Sequence, residues 1–220
     1  MKKINIKING QSITCDENKT IMQVAHDNGI ELPNLCFHPD FSVKANCRIC
    51  VVEITGRKNL ATSCSTKVED GMEIITDSER VKNSRNLNIE LIFAEHIERC
   101  STCVWRVNCK LLELADQYKI EITKFSDRKG KRKVYKFANA VELDGRQCID
   151  CRNCLAACHK LQTITYFESR GKGVNQEVVP VNEASSFSFY KKADKVDCIY
   201  CGQCAVHCPV GAAQEQTDWQ

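Results

Sequence analysis

At 220 residues, 43% hydrophobic and 27% charged, the chain has a globular composition and room for two or three small domains. Its net charge of +3 is too near neutrality to point to nucleic acid or an anionic membrane. No stretch approaches the roughly 18 apolar residues of a membrane helix. The start, Met1 to Asn9, alternates apolar and polar residues where a signal peptide would need an unbroken apolar run, which predicts a cytoplasmic protein.

In chain order, Lys3 to Asn9 reads as a strand with Ile4, Ile6 and Ile8 on one face. Gly10-Gln11 is a turn and Ser12 to Cys15 the return. Thr20 caps a short helix, Ile21 to Asn28, closed by Gly29. Arg48 to Ile54 and Met72 to Ile75 read as further strands. Ser78 to Glu98 is a helix with apolar positions at Leu87, Leu91, Ile92 and Phe93, and Lys110 to Tyr118 is a second. The segment Lys124 to Lys136 is rich in Lys and Arg; it reads as a solvated connector or as a docking surface for an acidic redox partner. Gly171-Lys172-Gly173 does not open a nucleotide-binding unit. Thr163 to Lys195, with Phe187, Phe189 and Tyr190, is a long insertion that packs on its domain or meets a partner.

Cysteine is the anomaly, 16 residues in all. Without an export signal, such a chain more often binds metal than forms disulfides. Fifteen cysteines and one histidine divide into four sets of four. Cys36, Cys47, Cys50 and Cys64 are spaced C-x10-C-x2-C-x13-C, and His96, Cys100, Cys103 and Cys109 are spaced H-x3-C-x2-C-x5-C. Cys148, Cys151, Cys154 and Cys158 form C-x2-C-x2-C-x3-C, as do Cys198, Cys201, Cys204 and Cys208, the last followed by Pro209. Only Cys15 is left over, and it reads as a buried small hydrophobe.

The last two sets match the bacterial ferredoxin run, in which three cysteines hold one [4Fe–4S] cluster and the fourth reaches the other. Cys208 should therefore join Cys148, Cys151 and Cys154, and Cys158 should join Cys198, Cys201 and Cys204. A zinc ribbon would show paired C-x2-4-C knuckles, not triplets with a trailing cysteine. The first set resembles the [2Fe–2S] loop of plant-type ferredoxins, although their first gap is four residues and this one is ten. His96 reads as the fourth ligand of a further [4Fe–4S] site, against the plainer reading of a solvated residue at a helix end. His26 and His38 are assigned no metal, and no residue is assigned a catalytic role.

The four motifs in this order resemble the N-terminal iron–sulfur module of [FeFe]-hydrogenases, the large iron–sulfur subunit of complex I and the small diaphorase subunit of bidirectional [NiFe]-hydrogenases. The order is also similar to the set that opens some NAD-linked formate dehydrogenases. The resemblance runs from Lys3 to about Ala213 and includes Cys47-Arg48-Ile49-Cys50, like the family's C-R-x-C. It implies an α+β protein in three parts. Residues 1–77 form a β-grasp [2Fe–2S] ferredoxin domain, 78–139 a short helical His/Cys [4Fe–4S] domain and 140–220 a two-cluster bacterial-ferredoxin-like domain. It implies one [2Fe–2S] and three [4Fe–4S] clusters and an electron-transfer component without a substrate site of its own. The implied partners are an NADH-oxidising flavoprotein and a hydrogenase- or formate-dehydrogenase-type catalytic subunit. The alternative is the front of a catalytic [FeFe]-hydrogenase whose active domain lies beyond residue 220, a reading that Trp219 near an unfinished-looking end would fit.

Overall fold

The computed structural model describes residues 2–41, 43–137, 141–181 and 198–215. Phe187, Phe189, Tyr190 and Trp219 lie outside the described residues. In β1 (Lys3–Ile8) the inward face is Ile4, Ile6 and Ile8, as strand alternation requires. Asn9 and Gly10 take φ of 50° and 83°, the left-handed pair that suits a two-residue hairpin, and β2 (Gln11–Asp16) returns with Ile13 opposite Ile6. α1 (Ile21–Asp27) starts at a capping box. Thr20 Oγ1 accepts the Gln23 N–H and the Gln23 side chain accepts the Thr20 N–H.

β3 (Val51–Ile54), β4 (Ala61–Thr62) and β5 (Glu73–Ile75) complete a sheet of order β2-β1-β5-β3-β4. β5 joins β1 in parallel and the other pairs are antiparallel. Ile21, Val24 and Ala25 of α1 pack with the sheet isoleucines in one core, which makes this part a β-grasp fold. The strand expected from Arg48 begins only at Val51, because Arg48 sits at φ 56° and the chain is still turning there.

α2 (Glu79–Ala94) is capped by Ser78 and is shorter than the expected Ser78 to Glu98; past Glu95 the chain tightens into a 3-10 turn at Ile97–Arg99. Its buried stripe is Val81, Arg85, Ile89 and Phe93, four residues apart. Leu87, read from the sequence as a packing position, falls off this stripe and is 44% exposed. α3 (Lys110–Gln117) lays Leu111, Leu114 and Ala115 against α2.

The last part contains β6 (Val134–Phe137), β7 (Val141–Asp144), α4 (Asn153–Gln162), β8 (Phe167–Arg170), β9 (Glu177–Pro180), α5 (Gln203–Val206) and β10 (Ala213–Glu215). One antiparallel sheet has the order β10-β7-β6, and β8 and β9 form a hairpin whose connection holds Gly171-Lys172-Gly173. The described part of the long insertion thus packs inward, with Tyr166, Phe167, Val178 and Val179 buried.

Two apolar cores result. One is the β-grasp interior. The other runs without a break from Leu35, Cys36, Cys47 and Ile49 through Ile89, Phe93 and Leu111 to Val210 and Ala213, so it joins all three parts. Trp105 lies on the backbone of Gly211, where any Cβ would run into the Trp105 side chain. The Lys110 N–H donates to Pro209 O at 3.0 Å.

The basic segment departs from both sequence readings at its centre. Lys129 is buried and donates to Cys148 O at 2.8 Å while pairing with Glu95 at 3.0 Å. Arg128 also pairs with Glu95, and Arg132 pairs with Asp150 at 3.4 Å. Lys129 and Arg132 are thus matched by carboxylates of the same molecule, while Lys124, Arg128, Lys131, Lys133 and Lys136 of the segment stay exposed.

Arg85 fixes the second part to the first. It is 5% exposed and donates to Ile49 O at 3.1 Å and to Val51 O and Thr76 O at 2.9 Å. Arg85→Ala should strand these carbonyls and cost about 3 kcal/mol or more. A urea titration followed by visible absorbance of the anaerobic holoprotein checks it; an unchanged midpoint would refute the role.

Candidate metal centres

Most of the cysteines lie on irregular backbone between regular elements, while Cys154 and Cys158 sit on α4 and Cys204 on α5, and all sixteen cysteines are free of disulfides. Cys15 is buried in the β-grasp core, in the same apolar cluster as Cys50 and Cys64.

Cys36, Cys47, Cys50 and Cys64 are each 7% exposed or less. Cys50 Sγ lies 3.4 Å from Cys64 Sγ, and the Cys47 N–H points at Cys36 Sγ at 3.5 Å. Ser63 Oγ donates to Cys50 O and holds the loop ends together. The Cys47 thiol draws the Cys36 pKa down to about 6, and the Cys64 thiol draws Cys50 down to about 7. Cys47 and Cys64 are pushed up in turn by those same sulfurs and by burial. Four crowded, buried sulfurs can all be thiolates only when positive charge is placed among them. That donor set fits a metal cluster.

His96 is 3% exposed, which removes the reading of a solvated helix end. Burial holds its imidazole neutral, with a pKa lowered to about 4 against a smaller opposing pull from the Gln147 backbone. Nδ1 has no partner, although it is buried. A neutral, buried imidazole with an unpartnered ring nitrogen is the form in which histidine ligates a metal. Cys100 follows one turn later, and Cys100, Cys103 and Cys109 lie close enough for the fields of Cys103 and Cys109 to raise the Cys100 thiol, after burial. Burial likewise raises Cys109, which also feels Cys208.

The ferredoxin-like runs are brought together crosswise. One small cavity is lined by Cys148, Cys151, Cys154 and Cys208 with Leu143 and Val210. A second is lined by Cys158, Cys198, Cys201 and Cys204 with Phe137 and Tyr166. Burial pushes Cys148 and Cys204 up to about 12 and raises Cys151 and Cys154 well above the usual thiol range. The backbone repeats between the runs. Asp150 and Tyr200 take φ of 55° and 62°, and Arg152 and Gly202 take 60° and 69°. Such left-handed residues turn successive N–H groups toward one point, a concavity that receives anions. The Asp150 N–H reaches Cys148 Sγ and the Ala213 N–H reaches Cys208 Sγ, both at 3.4 Å.

Among the described residues, no three His, Cys, Asp or Glu side chains converge as one ion requires. A mononuclear zinc site would hold its sulfurs at bonds of about 2.3 Å.

Sequence reasoning passes over the groups that join these sites. Lys129 links Glu95, beside His96, to Cys148 O. His38, assigned no metal, stacks on Phe41 at 4.3 Å between ring centres and faces His207 at 5.0 Å. His26 is largely exposed on α1. Spacing carries no signal for such pairings, because their partners lie far away along the chain.

Three family models match in sequence: a 2Fe-2S iron-sulfur cluster binding domain over residues 1–79, the NADH-ubiquinone oxidoreductase-G iron-sulfur binding region over 85–123, and a 4Fe-4S dicluster domain over 147–212. The chain is 33% identical over 220 residues to the NADP-reducing hydrogenase subunit HndD of Solidesulfovibrio fructosivorans, a match that covers 98% of this chain and 36% of that protein. It is 36% identical over 163 residues to iron hydrogenase 1 of Clostridium pasteurianum (73% of this chain, 28% of that one). It is 27% identical over 180 residues to the mitochondrial NADH-ubiquinone oxidoreductase 78 kDa subunit of Candida albicans (81% and 25%). The chain thus spans about a third or less of the length of these relatives. In fold it matches a chain from a crystal structure of an NAD+-reducing [NiFe]-hydrogenase in the H2-reduced state, with TM-score 0.81 and 24% identity over 97% of this chain and 88% of that one. The chain therefore carries [2Fe–2S]- and [4Fe–4S]-binding domains and resembles, along nearly its whole length, the N-terminal iron–sulfur module of [FeFe]-hydrogenases, the complex I large iron–sulfur subunit and the diaphorase small subunit of bidirectional hydrogenases.

Proposed function

We propose that the chain is an electron-transfer module with four clusters. One [2Fe–2S] cluster is held by Cys36, Cys47, Cys50 and Cys64. Three [4Fe–4S] clusters are held by His96 with Cys100, Cys103 and Cys109, by Cys148, Cys151 and Cys154 with Cys208, and by Cys198, Cys201 and Cys204 with Cys158. The domains are 1–77, 78–139 and 140–220. The observation that carries this reading is that one continuous core contains or abuts cysteines of all four sets. Bound clusters would supply one-electron redox chemistry. The protein buries most of the first and third ligand sets, presents backbone N–H groups to the sulfurs of Cys148 and Cys208 and sets local charge.

The module passes electrons between an NADH-oxidising flavoprotein and a hydrogenase- or formate-dehydrogenase-type centre in a cytoplasmic complex. Among the described residues no helix is long and apolar enough to cross a membrane. The hydrogenase relatives, about three times this length, support a second reading, the front of a catalytic [FeFe]-hydrogenase.

Anaerobic affinity purification from the native host tests both. A chain near 24.9 kDa arriving with a flavoprotein and a catalytic subunit is expected. A much longer polypeptide containing this sequence would give the second reading. The holoprotein should carry about 14 iron atoms, the sum of one two-iron and three four-iron clusters. His96→Cys should keep its cluster and lower that cluster's midpoint potential, because a neutral ligand becomes anionic. His96→Ala should delete one [4Fe–4S] signal; full cluster content in that variant would sink the ligand assignment. Cys158→Ala should damage the cluster of Cys198, Cys201 and Cys204, and damage confined to that of Cys148, Cys151 and Cys154 would reverse the crossing.

A further inference from the structure

The ten-residue gap between Cys36 and Cys47 is longer than the plant-type loop, and the structure shows where the extra length goes. It reaches the first ferredoxin-like run. Lys44 Nζ donates to Asn153 Oδ1 at 2.9 Å, and Asn46 Nδ2 donates to Asp150 O at 3.0 Å. From the other side, Lys160 Nζ reaches Asp40 O at 3.4 Å. Asn153 is 4% exposed and stands between Cys151 and Cys154 at the start of α4. The Lys44 ammonium lies 5.3 Å over the Phe41 ring, which itself packs against His207 beside Cys208.

Lys44 is therefore a half-buried cation in the seam between two sulfur sets. The largest attractive fields on it come from Cys151, Cys36 and Cys154, while burial opposes its charge and lowers its pKa. A cation near a redox centre favours the more negative, reduced form, and a partly buried one is weakly screened by salt.

We propose that Lys44 is a positioning residue shared by two centres: held by Asn153, its ammonium docks the Cys36–Cys64 site onto the Cys148–Cys208 site and raises the reduction potential of both. The inference rests on the cluster assignments above. It gives the long loop a purpose that the short plant-type loop, in a free-standing ferredoxin, does not need.

The test is a redox titration of the full-length holoprotein, followed by electron paramagnetic resonance, in Lys44→Met, Lys44→Gln and Lys44→Arg. Met removes charge and donor, Gln removes the charge but keeps a donor for Asn153, and Arg keeps both. In Met and Gln, the reduced-to-oxidised ratio at fixed potential should fall about tenfold for the [2Fe–2S] signal and for one [4Fe–4S] signal, about 59 mV for one electron. The other two [4Fe–4S] signals should stay in place, and Arg should restore the native values. Unchanged midpoints at full cluster content would overturn the inference. So would a shift of one signal alone, or loss of cluster content with no shift in what remains, which is the mark of a merely structural lysine. Absence of any [2Fe–2S] signal in the unsubstituted protein would instead overturn the cluster assignment, and the inference with it.

Discussion

A loop that is buried must find partners for its own backbone, and this molecule buries Cys36, Cys47, Cys50, Cys64, Cys148 and Cys151, which its loops carry. Regular hydrogen bonding is not available to a chain that bends to aim several sulfurs at one point. Side chains from elsewhere take over. Arg85 serves the carbonyls of Ile49 and Val51, Lys129 that of Cys148, and Asn46 that of Asp150. Each donor comes from a different part of the chain than the loop it serves. The need to satisfy the loops is thus also what binds the three parts into one body. Cations do much of this work, and they bring positive charge near the sulfurs, where anionic ligands would otherwise crowd.

What the sequence discloses is what depends on local pattern. The alternation of Ile4, Ile6 and Ile8, the Thr20 cap and the sulfur spacings all act over a few residues, and each is readable. The crossing of Cys158 and Cys208 is readable only because the run is a known one; the structure lines its two cavities with the same two groupings. Leu87 misleads because the helix stripe is set by Arg85, a charged residue that counts as a surface position in any hydrophobic pattern. The two-residue β4 carries too little pattern to be seen. Lys129 and Arg132 mislead for a related reason. Charge along a segment says how many ions it has, not whether Glu95 and Asp150 are waiting for them.

The contacts among the sets give a reason for their compactness. Cys109 feels Cys208, Lys129 ties Glu95, beside His96, to Cys148 O, and the loop after Cys36 touches Asn153. The Cys148–Cys208 site is thus approached from both the β-grasp and the His/Cys parts, while α4 carries Cys154 of that site and Cys158 of the other. Rigid spacing of this kind is what a relay of electron carriers needs, since no part has to move between steps.

The crosswise grouping has a consequence for how the protein is made. A ribosome delivers Cys148, Cys151 and Cys154 long before Cys208, and Cys158 long before Cys198. Until the last loop emerges, one cavity has three of its sulfurs and the other has one. Each grouping draws on both runs, so neither is complete until the second run has been made. The order of synthesis thus sets the order of completion: the Cys158 grouping has all its sulfurs at Cys204, and the Cys148 grouping has them four residues later, at Cys208.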